Sequence, residues 1–235
     1  MPEILLSLRG LRKDRRQGRD AIYRLETPAL DLAPGERLLL KGPSGCGKST
    51  LLDMIAMILR PDAAESFSFM GEDALAAYDD ESRASRLRRR IGYVLQTGGL
   101  LPFLSVRENI LLARRLAGLP TQGYAEGKAE SLGIGKLLGK LPATLSVGER
   151  QRAAIVAALA GDPELVLADE PTAALDPHNA DIVLELLIKT VEDAGAGLIL
   201  VTHAPDRVPA GFRSYAVVSA GTEGSVSRAV VEEEK

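Results

Sequence analysis

The sequence has a single cysteine, no tryptophan and few aromatic residues, which make up 4% of its composition. Because Cys46 has no second cysteine to pair with, no disulfide can form within the chain, which is typical of a reducing compartment. No apolar run approaches the roughly 20 residues of a membrane-spanning helix, so we expect no direct membrane span. The first residues, Met1-Pro2-Glu3-Ile4, show no basic segment leading into an apolar core, so we expect no signal peptide.

An excess of positive charge is also missing. The net charge is −3, which gives no indication of a nucleic-acid partner. What is present is an ordinary globular composition, with 46% hydrophobic and 26% charged residues in a chain of 235. These features predict a cytoplasmic α/β domain with room for an inserted subdomain, and any membrane role must come through a partner.

Short apolar runs alternate with segments of helical pattern, which predicts an α/β domain with a largely parallel sheet. The predicted strands cover residues 4–8, 21–25, 38–40, 91–95, 165–168, 198–201, 214–219 and 225–231. The predicted helices cover residues 51–59, 79–90, 106–117, 124–132, 145–160 and 177–194. Two charged segments are predicted as irregular: a basic surface loop at residues 9–19 and a frayed tail at residues 232–235.

A glycine-rich segment lies between the third predicted strand and the first predicted helix. It is a complete G-x-x-x-x-G-K-[ST] phosphate loop and reads Gly42-Pro43-Ser44-Gly45-Cys46-Gly47-Lys48-Ser49-Thr50. Its glycines let backbone N–H groups surround phosphate oxygens at a helix N-terminus, where the helix dipole favours anions. Lys48 adds a positive charge toward the β- and γ-phosphates, and the Ser49 hydroxyl is a ligand for Mg²⁺. The loop therefore predicts binding of a nucleoside triphosphate.

Polar residues follow three other apolar strands at the point where each strand ends. They are Gln96, the pair Asp169 and Glu170, and His203. In open α/β sheets, ligands bind at the carboxyl edge of the strands, and the phosphate loop leaves its strand at that edge. We therefore expect these four side chains to converge on the bound nucleotide, although each alone is a weak signal.

Two further motifs join the phosphate loop and the polar residues at the strand ends. Together they make the sequence resemble the nucleotide-binding domains of ABC transporters over about residues 3–220. The phosphate loop matches Walker A, Gln96 matches the Q-loop, and residues 166–170 match Walker B with its catalytic glutamate. Leu145-Ser146-Val147-Gly148-Glu149 matches the LSGGQ signature, Ala174-Leu175-Asp176 matches the D-loop, and His203 matches the switch histidine. The motifs stand in the family's order, which makes the combination very specific.

The resemblance implies a P-loop NTPase fold with a largely parallel central sheet, an antiparallel β subdomain and an inserted α-helical subdomain. It assigns residues 1–96 and 161–235 to the ATP-binding core. The resemblance also assigns residues from about 97 to 160 to the helical subdomain that carries the signature.

The resemblance also implies an ATPase that uses ATP and Mg²⁺. Asp169 would hold Mg²⁺ through water, beside Ser49, and Glu170 would activate the attacking water as a general base. His203 would contact the γ-phosphate and stabilise the charge that grows during transfer. Gln96 would sense Mg²⁺ and the water and couple them to a partner.

The partners implied by the family are a second ATPase subunit and a separate membrane permease. Ser146 and Gly148 would reach the γ-phosphate of an ATP bound to the opposite subunit, in a head-to-tail dimer that sandwiches two ATP molecules. Asp176 would lie at this interface, and we expect a homodimer. The protein would then be peripheral, on the inner face of the cell membrane.

The signature departs from the family pattern at two positions. Val147 replaces the first glycine and Glu149 replaces the usual glutamine, whereas Ser146 and Gly148 are intact. We therefore expect a tuned site that still contacts phosphate.

Two further departures concern the base and the phosphate loop. No aromatic residue follows the first strand to stack on adenine: Tyr23 falls in the next predicted strand, and Arg16 offers a guanidinium plane instead. The choice between ATP and GTP therefore stays open. Cys46 either fills a variable position of the loop or is a thiol whose pKa is lowered by the helix N-terminus.

Residues 99–110, which read GLLPFLSVRENI, resemble the segment after the Q-loop in the lipoprotein-release and macrolide-exporter branch. The cell-division ABC ATPase shares this style, and parts of it recur in importers. We therefore predict a transporter ATPase of the lipoprotein-release type, with an importer or a regulator of cell-wall hydrolases as alternatives. Translation and repair ABC proteins usually carry two cassettes or a long coiled-coil insertion, and because 235 residues leave no room for either, we do not expect this class. A binding-only cassette is disfavoured because Lys48, Glu170 and His203 are all present.

Overall fold

The computed structural model describes residues 4–17 and 21–234, which are divided between two compact units. The first unit contains the residues up to Arg88 together with those from Ile199 onward, and the second unit is Arg89–Leu198. Within the described ranges, every helix is too short or too polar to cross a bilayer.

Strands and α-helices are interspersed in the middle of the described chain and strands lie toward both of its ends, and this mixture confirms the predicted α/β class. The strands are β1 (Leu6–Gln17), β2 (Ala21–Leu32), β3 (Arg37–Lys41), β4 (Ser66–Phe69), β5 (Glu72–Asp73), β6 (Ile91–Val94), β7 (Leu165–Asp169), β8 (Gly197–Val201), β9 (Arg213–Glu223) and β10 (Val226–Glu233). The helices are α1 (Lys48–Ile55), α2 (Glu81–Arg88), α3 (Val106–Ala117), α4 (Tyr124–Ser131), α5 (Val147–Leu159) and α6 (Pro177–Asp193).

The strands of the first unit lie in the order β5-β4-β1-β2-β10-β9-β3-β8. β1 pairs antiparallel with β2 and β4, and β9 pairs antiparallel with β10. β10 is parallel to β2, and β3 is parallel to β9. The core of this unit contains Phe67, Phe69 and the three leucines of β3, Leu38–Leu40, all buried. Burial of β3 fixes the strand from which the phosphate loop starts.

The basic loop predicted at residues 9–19 is wrong, because β1 continues through it to Gln17. Gly18 and Arg19 lie outside the described residues. The strand accommodates its basic residues by pairing them with acids: Arg9 Nη2 is 2.7 Å from Asp31 Oδ2, and Lys13 Nζ is 2.9 Å from Asp62 Oδ1. A run of basic residues can form a strand when acids elsewhere in the chain neutralise it. Those acids cannot be identified from the run itself.

The prediction of a frayed tail is also wrong for residues 232–234. β10 continues to Glu233, which lies opposite Tyr215. The backbone N–H of Glu234 donates to the carbonyl of Ser214 at 2.9 Å, and its carboxylate is 2.7 Å from Lys41 Nζ. Lys235 lies outside the described residues. The short strands β4 and β5 were not predicted, because two to four residues carry too little periodic pattern.

The second unit contains the parallel pair β6 and β7, with Val94 opposite Ala168, so both strands end side by side. Helix α5 approaches β6 closely because Gly92 has no side chain. A Cβ built at Gly92 would lie only 2.5 Å from the carbonyl oxygen of Ala158. Helices α3, α4 and α5 enclose a separate hydrophobic core whose fully buried members include Val106, Ile110, Ala125, Ala129, Ile134 and Ala153.

Helix α3 has the bounds predicted from the sequence. At its start, the Ser105 hydroxyl accepts from the Glu108 N–H at 3.2 Å, and the Glu108 carboxylate accepts from the Ser105 N–H at 2.7 Å. This capping box satisfies two donors that the first turn leaves without partners. At its end, Gly118 adopts a φ of +73°, the left-handed conformation that terminates many helices.

Candidate active site

The phosphate loop joins β3 to α1 in the first unit. At two of its positions the structure gives a steric reason for glycine. Gly47, directly before α1, has a φ of +98°, which an L-residue adopts only with strain. A Cβ built at Gly42 would lie 2.8 Å from Cys46 Sγ and 3.1 Å from the carbonyl oxygen of Val217. Glycine at both positions allows the loop to fold closely over the start of the helix.

Lys48 is the first residue of α1 and is buried, with 4% of its surface exposed. Its Nζ donates to the carbonyl oxygens of Gly42 and Pro43, each at 2.8 Å, and lies 3.9 Å from Cys46 Sγ. The ammonium group therefore faces the inside of the loop. Within α1, which the structure describes in full, the first turn holds no acidic residue and no side chain caps the N-terminus. The first N–H groups of α1 remain available to an anion.

Tyr23 contacts the phosphate loop, which the sequence did not predict. The residue lies in β2, as expected, and its hydroxyl donates to the carbonyl of Cys46 at 2.7 Å. Burial raises the pKa of this hydroxyl, so it stays protonated and able to donate. On β1, Arg15 lies opposite Tyr23, and Arg16 lies opposite Ile22. The contact depends on the pairing of β2 with its neighbours, which no local motif encodes.

His203 follows β8 in the first unit and is exposed. β8 is the neighbour of β3 in the sheet, and the phosphate loop follows β3. Before the histidine, Thr202 is buried and its hydroxyl accepts from the N–H of Ala204 at 3.1 Å. This bond fixes the backbone turn on which His203 is carried.

The second unit brings Gln96, Asp169 and Glu170 to one edge of its parallel pair. Gln96 lies in a turn just after β6, where the N–H of Gly98 donates to the carbonyl of Leu95 at 2.9 Å. Asp169 is the last residue of β7, and Glu170 follows it. Since Val94 lies opposite Ala168, the two strand ends are neighbours. Gln96, Asp169 and Glu170 therefore follow neighbouring strand ends within this unit, and their convergence with His203 on a nucleotide stays a prediction.

The two acids at the end of β7, Asp169 and Glu170, both have features typical of functional sites. Asp169 Oδ1 is buried and has no hydrogen-bond partner among residues 4–17 and 21–234. A buried carboxylate oxygen without a partner is unfavourable, so it is suited to accept from a ligand. Glu170 has a φ of +48°, which is unusual for a residue with a long side chain. Such strained backbone costs of order 1–3 kcal/mol and clusters at active sites.

Gln151, on α5, is a further residue that the sequence did not single out. It is buried, and its Nε2 donates to the carbonyl of Leu95 at 3.4 Å. The bond connects the helix of the signature to the turn that carries Gln96. Its only sequence signal was a polar residue on the buried face of a predicted helix.

The signature forms the start of α5, and the structure gives a reason for Glu149 in place of the family's usual glutamine. Ser146 is the N-cap, and its hydroxyl accepts from the Glu149 N–H at 3.3 Å. Glu149 returns the contact by accepting from the Ser146 N–H at 2.8 Å. This backbone hydrogen bond lowers the pKa of Glu149, so its carboxylate stays ionised. Glutamate therefore serves at this position as glutamine does, because both complete a capping box.

Val147 and Gly148 occupy the first turn of α5. The Val147 side chain is 41% exposed, so it clashes with nothing in its own chain. A Cβ built at Gly148 would meet no atom nearer than 3.9 Å. The motif is therefore open on its outer side at both positions.

Asp176 begins α6. Its Oδ1 accepts from the Asn179 N–H at 3.1 Å, and its Oδ2 accepts from Asn179 Nδ2 at 2.7 Å. These bonds lower the pKa of Asp176. The aspartate of the predicted D-loop is therefore a helix cap within its own chain, as well as a candidate interface residue.

The residues predicted to bind Mg²⁺ are a hydroxyl, an amide and a carboxylate: Ser49, Gln96 and Asp169. Within the described residues, no group of three or more His, Cys, Asp or Glu side chains is placed to hold a metal by itself. Mg²⁺ in nucleotide sites keeps several waters and takes one or two protein oxygens plus substrate phosphates. The unpartnered carboxylate oxygen of Asp169 and the exposed Ser49 hydroxyl fit this chemistry.

The predicted site residues are thus distributed over both units. The first unit carries the phosphate loop, with Lys48 and Ser49, and His203. The second unit carries Gln96, the signature from Ser146 to Glu149, and the acids Asp169 and Glu170.

Comparison with known proteins agrees with these features. A family profile described as ABC transporter matches residues 25–173. The chain is 40% identical over 204 residues to the lipoprotein-releasing system ATP-binding protein LolD of Paramagnetospirillum magneticum, covering 86% of this chain and 89% of that protein. It is also similar to the dimeric structure of the ABC transporter cassette MJ0796, with a TM-score of 0.78, 30% identity and coverage of 90% and 93%. A dimeric post-hydrolysis state of MJ0796 bound to ADP and Pi gives a TM-score of 0.77, with 28% identity and 98% coverage of both chains.

The profile match includes both the phosphate loop and the strand that ends at Asp169 and Glu170. The structural likeness extends over the two units and includes a nucleotide-bound state. Sequence, fold and site geometry therefore lead to one assignment: the chain belongs to the ABC transporter family and is an ATP-binding, ATP-hydrolysing cassette.

Proposed function

We propose that this cassette is the ATP-binding subunit of a lipoprotein-releasing transporter and that it drives a separate membrane permease. The observation that carries the proposal is 40% identity over 86% of the chain to a lipoprotein-releasing system ATP-binding protein. The segment at residues 99–110 supports the same branch. In this role the protein is peripheral, on the inner face of the cell membrane.

ATP binding is assigned to the phosphate loop. The N–H groups at the start of α1 receive the phosphate oxygens, and the buried ammonium of Lys48 exchanges its carbonyl partners for the β- and γ-phosphates. Charge-assisted hydrogen bonds of this kind are about twice as strong as neutral ones. The remaining loop residues act mainly through their backbone, which is why glycines dominate the motif.

Hydrolysis is assigned to the acid after β7 and the histidine after β8. Glu170 accepts a proton from water as the water oxygen forms a bond to the γ-phosphorus. The bond between the γ-phosphorus and the β–γ bridging oxygen breaks, and ADP leaves with that oxygen. His203 donates to the γ-phosphate oxygens, where charge changes during the transfer. Gln96 positions the water and reports the state of the site to the partner.

Mg²⁺ is assigned to Ser49, Gln96 and Asp169. When bound, the ion would supply positive charge that neutralises the negative charge developing on the phosphates during transfer. Asp169 is suited to this role because its Oδ1 is buried without a hydrogen-bond partner among the described residues. The Ser49 hydroxyl lies in the first turn of α1, directly after Lys48.

A head-to-tail dimer completes each site. Ser146 accepts from Glu149 N–H, so its own hydroxyl hydrogen remains available to the γ-phosphate on the opposite subunit. Gly148 leaves the outer face of the turn open, and Asp176 lies at the start of α6. The dimeric state of the similar cassette MJ0796 supports this arrangement. ATP closes the dimer, and hydrolysis opens it.

The permease contact is assigned to the loop before α3. Its exposed apolar side chains include Phe103, which is 72% exposed, together with Leu101 and Leu95. A cluster of exposed apolar side chains on a soluble face is typical of a protein interaction site. The loop also follows Gln96 closely in the chain, so the contact lies near the residue assigned to sensing.

The test is to identify the membrane partner. The tagged Glu170→Gln protein, in its native membranes, is incubated with ATP and Mg²⁺, extracted in mild detergent and analysed by mass spectrometry. We expect a permease with few membrane spans and a large extracytoplasmic domain, in amounts that fall when ADP replaces ATP. A permease with many spans and a solute-binding protein would overturn the lipoprotein-release assignment in favour of import. Cell-wall hydrolase regulators would point to the cell-division type, and recovery of no membrane protein would contradict the transporter role.

A further inference from the structure

Helix α3 carries a buried guanidinium that none of the roles above uses. The Arg114 side chain is 9% exposed and has partners on three segments. Its Nε donates to the carbonyl of Pro120 at 2.6 Å, and its Nη1 donates to the carbonyl of Ala160 at 3.1 Å. Nη1 also lies 3.1 and 3.2 Å from the two carboxylate oxygens of Asp162, and the guanidinium carbon lies 3.8 Å from the centre of the Tyr124 ring. Arg114 therefore joins α3 to α4 and to the turn after α5.

The turn that Arg114 holds leads from the signature helix to the strand of the catalytic acids. α5 ends at Leu159, and β7 begins at Leu165. Within the turn, Asp162 has a φ of +51°. β7 is five residues long and its first four residues are buried, so a shift of the turn passes along the strand to Asp169. Protein interiors are close-packed, which is why such displacements are transmitted rather than absorbed.

Helix α3 is a suitable anchor because its first turn is also fixed by a buried polar residue. Asn109 is 7% exposed, and its Oδ1 accepts from the N–H of Leu101 at 2.7 Å. Its Nδ2 donates to the carbonyls of Leu101 and Leu104 at 3.1 and 3.0 Å. The helix is thus held by side-chain hydrogen bonds near both of its ends.

We propose that Arg114 is a positioning residue for ATP hydrolysis, which holds the turn between α5 and β7 against α3 and thereby sets the positions of Asp169 and Glu170. The inference rests on the proposed role of Glu170 as the general base. Arginine suits this position because its planar fork of donors bonds two carbonyls and a carboxylate at once. A lysine is a point charge on a flexible stem and satisfies fewer of these acceptors.

The test variant is Arg114→Met, which keeps an unbranched apolar stem in place of the arginine stem and removes the guanidinium with its donors. The carbonyls of Pro120 and Ala160 lose a partner, and the turn is released. We expect kcat for ATP hydrolysis to fall about tenfold or more, since small misplacements of catalytic groups have effects of this size. The Kd for ATP measured without Mg²⁺ should change less than about twofold, because the phosphate loop belongs to the other unit. Arg115→Met, the exposed neighbour on α3, is the matched control and should leave kcat unchanged.

Two further variants keep the test decisive if Arg114→Met folds poorly. Arg114→Lys should recover part of the lost kcat, because it restores the charge and at least one hydrogen bond. Asp162→Asn removes only the carboxylate, which is exposed, and asparagine tolerates the positive φ of this position. It should lower kcat in the same direction as Arg114→Met and by a smaller factor. For all variants, kcat is expressed per ATP site counted by calorimetric titration.

The outcomes separate this inference from the proposed function. A kcat of Arg114→Met equal to that of the wild type overturns the positioning role. Equal losses in kcat and in ATP affinity also overturn it, because they indicate a general structural defect. An inactive wild type, or a Glu170→Gln variant as active as the wild type, contradicts the assignment of the general base instead.

Discussion

Replacing Glu170 by glutamine should slow ATP hydrolysis by about 10²- to 10⁴-fold, the usual contribution of a positioned general base. Glutamine has the same size and can occupy the same hydrogen-bond positions, but it cannot accept the proton of water. The backbone at φ +48° is kept, because glutamate and glutamine have similar conformational preferences. The substitution therefore removes the base and leaves the turn intact.

Phosphate release at saturating ATP measures this effect, and calorimetry measures ATP binding in parallel. Binding should persist, since Lys48 and the phosphate loop are unchanged. Glu185→Gln, on the exposed face of α6, is the matched control for loss of one carboxylate and should retain full turnover. A Glu170→Gln variant that turns over like the control would refute the assigned base.

Replacing Lys48 by alanine should weaken ATP binding about thirtyfold, because a hydrogen bond to a charged group contributes about 2 kcal/mol. The ammonium belongs to a buried side chain and faces the inside of the loop, where the phosphates are expected to bind. Its loss also leaves the carbonyls of Gly42 and Pro43 without their donor. We therefore expect hydrolysis to fall together with affinity.

Equilibrium titration with ATP in the presence of Mg²⁺ gives the Kd of this variant. Lys41→Ala is its control: Lys41 is at the end of β3, beside the same loop, and it pairs with Glu234 at the surface. Exposed ion pairs contribute little, so the control should bind ATP as the wild type does. If both lysine variants bind equally well, the ammonium of Lys48 does not hold the phosphates.

The local signals that the sequence carries were sufficient for most helices and for the buried strands. The bounds of α3 were predicted because Ser105, Glu108 and Gly118 mark its two ends and its apolar residues repeat at helical spacing. β7 was predicted because a short apolar run ends at two acids. In each case the information lies within a few residues, so no partner element was needed.

Features that depend on pairing between distant segments were missed. β1 was predicted to end at Leu8, because the basic residues after it look irregular until Asp31 and Asp62 supply their partners. The tail was missed for the same reason, since Glu233 is ordered by Tyr215 on β9. A charged segment can be assigned to a strand only when the residues that pair with it are known.

In the candidate site, too, residues within local motifs were predicted and residues that act through distant contacts were missed. The phosphate loop, Gln96 and Glu170 were recognised because each belongs to a contiguous motif. Tyr23 and Arg114 were missed, because their roles come from contacts with a loop and a turn far along the chain. A buried tyrosine or arginine gives no signal in a single sequence beyond its type.

The central claim is that ATP closes a dimer in which each site is completed by the partner's signature. Its most direct test is sedimentation of Glu170→Gln with ATP and Mg²⁺, with and without Gly148→Asp. A side chain at Gly148 strains nothing in its own chain, and a carboxylate at a helix N-terminus stabilises that helix, so the added charge acts on the partner's phosphates. We predict a dimer for Glu170→Gln and a monomer once Gly148→Asp is added, with equal ATP binding by both. A double variant that dimerises as fully as its parent would contradict the account.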